Sequence, residues 1–375
     1  MAEATEIYRP GLEGIIAGES AVSTVLQESL AYRGYTIEQL AEHSDFVETA
    51  YLLLHGELPT ASQLDAYTKQ LDGYRELPGP VVDTIRAMPK NVSMMDVLRT
   101  AVSMCGHFDP TEGDDRDALI QRSTFLLAVA PGIVATRLRL LNGKDPMGPK
   151  AGLSNAAQFL YQCFGCEPSD LHTRLLNLTL VLYAEHGFNA STFCSRVCTS
   201  TMSDMVSAVV AGIGTLKGPL HGGANEEAMK LINRFKTAEE AKAWTEDAIT
   251  NKVKIMGFGH RVYKSGDHRA RILEAKMTVL AKKVGQEKWI DIYMAVKNTM
   301  DEEKKIFPNV DYPCGLVYYL MKLPTDVYTP LFVASRVIGW AAHAAEQHFN
   351  NRIIRPRSKY TGPALRPYVP IDQRK

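Results

Sequence analysis

Segment after segment of this chain places apolar residues three or four positions apart, with helix start and stop signals at the ends. Phe46, Val47, Ala50, Tyr51, Leu53 and Leu54 share one such face. Asp45 and Glu48 suit a capping box before it, and Gly56 and Pro59 end it. Thr60 and Gln63 cap a second segment that carries Leu64, Tyr67 and Leu71. A short helix over 81–88 stops at Pro89, and Met95, Leu98, Val102 and Cys105 line one face of 94–105. Residues 109–117 read as an acidic surface loop. The long apolar stretch 123–141 is expected to be interrupted at Pro131, and 142–152, with Pro146 and Pro149, is a loop. Helices are expected over 155–164, 170–186, 205–216 and 329–346. Strand-like pieces are confined to 8–37, where Gly11, Gly14 and Gly18 punctuate the chain and 30–37 reads as a short strand pair or turn. This pattern predicts an all-α architecture of many packed helices.

Charge divides the chain. Residues 223–322 are richer in charged side chains, among them Glu239, Glu240, Lys242, Arg271, Lys282 and Lys283. The reading is a smaller domain over 223–322, inserted into a larger helical domain made of 1–222 and 323–375. The tail from Asn350 is basic and carries Pro356, Pro363, Pro367 and Pro370, so it is not helical throughout. An arm of this kind is expected to lie across a partner subunit.

Lys plus Arg and Asp plus Glu are equal at 42 each, so no net field recruits nucleic acid. No uninterrupted apolar run reaches the ~18 residues that span a bilayer, and no secretory leader is expected at the N-terminus. Cys163 and Cys166 form one CxxC without a second pair at zinc-site spacing, and Cys194 and Cys198 are i, i+4 neighbours without further ligands nearby. Reduced cysteines, a cytoplasmic location and no metal are the expectations.

The residues able to do chemistry cluster in a few stretches. His186 and His221 flank 183–226, and His221 lies in the glycine-rich turn Gly218-Pro-Leu-His-Gly-Gly223, where little bulk keeps a ligand from the backbone. The loop Lys254-Ile255-Met256-Gly257-Phe258-Gly259 leads to His260, with Arg261 and Lys264 beyond; it is neither a GxGxxG nor a Walker loop. Asp311 follows Pro308 at the end of a basic helix and reads as a helix cap or as a base. Arg269, nine residues past His260, would lie about two and a half turns on if the segment were helical throughout. Arg336 sits inside an apolar helix and needs an anionic partner, either a substrate carboxylate or an internal one such as Glu346. Arg355 and Arg357 flank Pro356 and are either anion-binding forks or a solvated basic arm.

Six motifs in order, LYAEHGFNAST, GPLHGGANE, MGFGHRVYKSGDHR, FPNVDYPCG, TPLFVASRVIGW and NRIIRPRS, make nearly the whole chain resemble the citrate synthase family. The resemblance implies an all-α fold of two domains that close over the substrates, assembled as a homodimer. It implies condensation of acetyl-CoA with oxaloacetate, then hydrolysis to citrate and CoA, with no permanently bound cofactor and CoA entering as co-substrate. By matching motifs Asp311 is the base, His221 the donor to the thioester oxygen and His260 the donor to the ketone oxygen. His186, Arg269 and Arg336 hold the dicarboxylate, and Arg355 reaches in from the other subunit. CoA is expected along 254–259, with Lys264 and Lys304 or Lys305 near its phosphates.

Two departures stand out. His268 occupies a position where the family often has proline. Tyr312-Pro-Cys-Gly315 stands where many members carry Phe-Tyr-Ser, in a loop expected near the acyl methyl. The second resembles the branch that includes 2-methylcitrate synthases, so propionyl-CoA is the alternative acyl donor. The chain also lacks the long N-terminal extension of the NADH-inhibited hexameric form, which implies a dimer without that control.

Overall fold

The computed structural model describes residues 8–26, 29–260 and 262–375. Arg261 and the first seven residues, on which part of the leader reading rests, lie outside them. The described N-terminal part holds an antiparallel three-stranded meander, β1 (Ser23–Leu26), β2 (Ser29–Tyr32) and β3 (Tyr35–Thr36), paired in that order. Every named element after it among the described residues is a helix. The chain continues through α1 (Ile37–His43), α2 (Phe46–His55), α3 (Ala61–Gly73), α4 (Gly79–Ala87), α5 (Met94–Cys105) and α6 (Arg116–Leu141). Next come α7 (Asn155–Phe164), α8 (Asp170–Tyr183), α9 (Ala190–Ser200), α10 (Met205–Leu216) and α11 (Ala224–Ile232). The series ends with α12 (Ala238–Thr250), α13 (His268–Lys283), α14 (Lys288–Lys304), α15 (Asp311–Leu320) and α16 (Tyr328–Phe349).

The caps act largely as the sequence predicts. Thr60 and Gln63 form a reciprocal capping box at α3. At α2 one half forms: Asp45 Oδ1 accepts from the Glu48 N–H at 2.8 Å.

Three expectations are corrected. α6 runs unbroken from Arg116 through Pro131, capped by Asp115, so the acidic loop ends earlier than its charge implies. Proline removes one hydrogen bond, and burial on both sides of it, from Ser123 to Leu138, holds the helix together. By length and composition α6 is also apolar enough to cross a membrane; here it is mostly buried and packs against α5, α7 and α16. Finally, α8 stops at Tyr183 rather than His186. The carbonyl of Tyr183 is taken by Arg336 Nε at 2.6 Å and that of Glu185 by the Tyr32 hydroxyl at 2.9 Å, so the ladder is replaced by side chains.

Two groups of helices frame the site. α9, α10 and α16 pack on one another beside α6, while α12 packs on α14, and α11 and α13 pack on α15. α13 also touches α1 and α8, which joins the two groups. The tail beyond α16 is extended and exposed apart from Ile354, which is half-buried.

Candidate active site

The site residues come from six separate places in the fold. His186 lies on the link after α8, and His221 on the turn between α10 and α11. His260 is in the loop before α13, Arg269 is the second residue of α13, Asp311 opens α15, and Arg336 is in mid-α16. The segment between His260 and Arg269 is not helical, so the spacing by helical turns does not apply; the loop folds back and brings the two together.

Asp311 is the first residue of a helix rather than the end of one, and Val310 holds the cap position. Its carboxylate accepts a 2.6 Å hydrogen bond from the Tyr183 hydroxyl. Burial pushes Asp311 up to about 6, against the Tyr183 hydrogen bond and the charges of Arg269 and Arg336. Tyr183 packs on Phe332 at 4.2 Å between ring centroids, and Phe332 also faces His221 at 6.5 Å and the Arg336 guanidinium at 4.8 Å. One aromatic ring thus ties base, histidine and arginine into a single wall.

The protons of the two catalytic-candidate histidines are fixed by backbone donors. His260 Nδ1 accepts from the N–H groups of Val262 and Tyr263 at 3.0 and 3.1 Å, which leaves its proton on Nε2. His221 Nε2 accepts from the Ser191 N–H at 3.3 Å and lies 2.8 Å from the Ser191 hydroxyl, which leaves its proton on Nδ1. The Trp340 indole N–H anchors that hydroxyl at 3.1 Å. Burial, with the Arg336 charge, pushes His221 down to about 4, and burial, with Arg269, does the same for His260. Both are neutral donors at pH 7. The turn that presents His221 depends on Gly222, where a Cβ would meet the Leu216 carbonyl at 2.5 Å.

His186 Nε2 is 3.0 Å from the Tyr263 hydroxyl, and its ring stands edge-on to His260 at 5.0 Å. Burial and the nearby Arg269 hold it well below the usual histidine range. Arg269 is buried and held by a two-point contact with Asp267, at 3.1 and 2.8 Å. Asp267 Oδ2 also accepts from the Val310 N–H at 3.1 Å, so one carboxylate fixes both Arg269 and the start of the helix that bears Asp311. Arg336 is buried without an ion pair among the described residues; Glu346 pairs with Arg196 instead. Arg336 Nε donates to the Tyr183 carbonyl.

The 254–259 loop is stitched to 307–309. Gly259 N–H donates to the Phe307 carbonyl, Asn309 N–H to the Gly257 carbonyl, and Phe258 bridges to Pro308. Ile255 and Gly257 are buried, Met256, Phe258 and Gly259 half-buried, and Lys254 exposed. Lys264, Lys304 and Lys305 are exposed, and Lys305 lies 3.4 Å from Asp301. Arg355 lies exposed on the tail with no hydrogen bond or ion pair among the described residues, so the chain by itself does not bring it to the cluster.

The expected acyl-side loop is corrected: Tyr312-Pro-Cys-Gly315 forms the first turn of α15. Tyr312 is buried, stacks on Tyr293 at 4.4 Å and donates to its carbonyl at 3.1 Å. Tyr183 is the side chain that hydrogen-bonds the Asp311 carboxylate among the described residues. Tyr183, Ser191, Asp267 and Phe332 all lie inside or beside the sequence motifs, yet spacing alone gives them no role. No cluster of metal-ligating residues occurs among the described residues, and all six cysteines are free.

This arrangement offers a carboxylate, two neutral donors and two buried guanidinium groups in one cluster, which suits carbon–carbon bond formation on a dicarboxylate. Comparison with known proteins agrees. The family model "Citrate synthase, C-terminal domain" matches residues 11–357. A 2-methylcitrate synthase of Corynebacterium glutamicum is 44% identical over 99% of both chains. Citrate synthase 2 of Bacillus subtilis is 41% identical over 97% of this chain and 98% of its own. The citrate synthase of Thermoplasma acidophilum, solved with carboxymethyl coenzyme A and oxaloacetate, superposes with a TM-score of 0.93 at 33% identity, covering 99% of this chain and all of that one. Helical architecture, site and sequence match converge over nearly the full length, and the chain belongs to the citrate synthase family.

Proposed function

We propose that this chain is a citrate synthase, which condenses acetyl-CoA with oxaloacetate and hydrolyses the resulting thioester to citrate and CoA. The observation that carries the reading is Asp311, a carboxylate raised to about 6, facing a site whose two neutral histidines have their protons fixed by backbone N–H groups. In this reading Asp311 takes a proton from the acetyl methyl carbon. His221 Nδ1–H meets the thioester oxygen as it gains enolate charge; a neutral donor is well matched to that oxygen in a dry site. The enol carbon attacks the ketone carbon of oxaloacetate, His260 Nε2–H stabilises the new alkoxide, and that alkoxide takes up one proton for the one removed from the methyl. Water then cleaves the thioester and CoA leaves.

His186, Arg269 and Arg336 hold the oxaloacetate carboxylates, and Arg355 comes from a second copy of the chain in a homodimer. The exposed, proline-bearing tail supports that last role. Residues 254–259 and the exposed Lys264, Lys304 and Lys305 receive CoA, with the lysines near its phosphates. The region 223–322 acts as the smaller domain and closes when oxaloacetate binds, which completes the acetyl-CoA site. The six free cysteines support a cytoplasmic location.

Propionyl-CoA is the second reading for the acyl donor, favoured by the 2-methylcitrate synthases among the relatives. One methylene is worth about 1–3 kcal/mol of discrimination. Thiol release with oxaloacetate, run side by side with acetyl-CoA and propionyl-CoA, decides between the two. A higher kcat/KM for acetyl-CoA upholds the proposal, and a higher value for propionyl-CoA makes the chain a 2-methylcitrate synthase.

A further inference from the structure

Glu185 precedes His186 in the motif YAEHGFNAST, and the mechanism above gives it no task. It is completely buried. Oε1 lies 3.0 Å from His343 Nε2 and accepts from the Ser23 hydroxyl at 3.0 Å. His343 Nδ1 is 2.9 Å from Arg196 Nη1, and a guanidinium only donates, so the His343 proton sits on Nε2 and points at Glu185. Oε2 has no hydrogen-bond partner among the described residues. That atom occupies a notch on α16 made by Gly339: a Cβ there would strike Oε2 and would lie 3.3 Å from Arg336 Cδ. Arg336, Gly339 and His343 are spaced three and four residues apart on one face of α16, with the Glu185 carboxylate between the two larger side chains. Burial works against the charge of Glu185, but His343, Arg336 and Ser23 outweigh it and hold the carboxyl below its ordinary range. A buried anion thus stands close to Arg336 without closing an ion pair with it.

We propose that Glu185 is a positioning residue whose buried charge, acting through Arg336, sets how tightly the site holds its dicarboxylate. The inference rests on the reading of Arg336 as a carboxylate-binding residue. In the empty site Glu185 is the carboxylate that acts most strongly on the Arg336 guanidinium, whose charge also reaches Asp311. Because it stops short of an ion pair, it leaves the guanidinium open to the substrate. Its negative charge also opposes the incoming dianion, which keeps the more highly charged product from being held too firmly. Repulsion between like charges in a buried, weakly screened site is strong enough to change affinity roughly tenfold or more.

Glu185→Gln tests the charge alone. The amide oxygen still accepts from His343 and Ser23, and the amide nitrogen takes the position of Oε2, which has no donor to lose. Oxaloacetate binding is measured by calorimetry on the full chain for wild type, Glu185→Gln, Glu185→Asp and Arg336→Gln, with Tm recorded for each. Glu185→Gln is expected to bind oxaloacetate roughly tenfold more tightly. Glu185→Asp keeps the charge and is expected to stay within about threefold of wild type on the same scale. Damage to the fold weakens binding, so a tightening is not what a merely structural role produces. If Glu185→Gln leaves affinity unchanged or weakens it while Arg336→Gln still weakens it, the inference falls and the site reading stands. Equal tightening by Glu185→Asp and Glu185→Gln also overturns it. If Arg336→Gln has no effect, the site reading fails and this inference with it.

Discussion

At the scale of single residues, the hydrogen bond between Tyr183 and Asp311 makes a pH prediction. The base works when ionised, so kcat/KM, which reports the free enzyme, is expected to fall tenfold per pH unit below about 6. His221 and His260 are pushed down to about 4 and stay neutral across that range, so the limb belongs to Asp311. The Tyr183 hydroxyl favours the carboxylate, so Tyr183→Phe moves the limb to higher pH; a limb that stays in place or moves down contradicts the assignment. Asp267→Asn leaves Arg269 buried without its counter-charge. A loss of about 3–5 kcal/mol in unfolding free energy is expected, with a raised KM for oxaloacetate. Denaturant melts and steady-state kinetics read the two effects. The grouping of Asp311 with the histidines was legible because their motifs are contiguous. Tyr183, Asp267 and Ser191 were not, because each acts on a partner from another element: Asp267 on the start of α15, Ser191 on the turn after α10.

At the scale of elements, cap chemistry and apolar spacing located most helices, including α5 and α7 to the residue. The failures share one cause. Pro131 and the end of α8 are decided by tertiary partners: burial around α6, and Arg336 and Tyr32 reaching carbonyls at and just beyond the end of α8. The loop before His260 has a stricter local requirement. Gly257 has φ +86°, and a Cβ there would lie 2.9 Å from the Tyr312 Cβ. Gly257→Ala combines backbone strain with a clash against the first turn of α15. It is expected to cost about 1–3 kcal/mol of stability and to raise KM for the acyl-CoA more than for oxaloacetate. Equal KM values for wild type and variant would separate this loop from the CoA site.

At the scale of the whole molecule, the chain brings Asp311, the histidines and two arginines together alone, while Arg355 remains on an exposed tail. If each site borrows Arg355 from a second copy, Arg355→Ala and Asp311→Ala complement one another. Each variant is nearly inactive alone, and an exchanged one-to-one mixture regains up to about a quarter of wild-type activity, since half of the sites in each mixed dimer are intact. No recovery after subunit exchange places Arg355 outside the site.

The central claim is that Asp311 removes the proton that starts the condensation, and the most direct measurement is the rate of CoA thiol release from acetyl-CoA at saturating oxaloacetate, for wild type and Asp311→Ala. The account predicts robust release by wild type and a kcat lower by about 10²–10⁴-fold in the variant, with oxaloacetate affinity little changed. Release by Asp311→Ala within a few fold of wild type would contradict it.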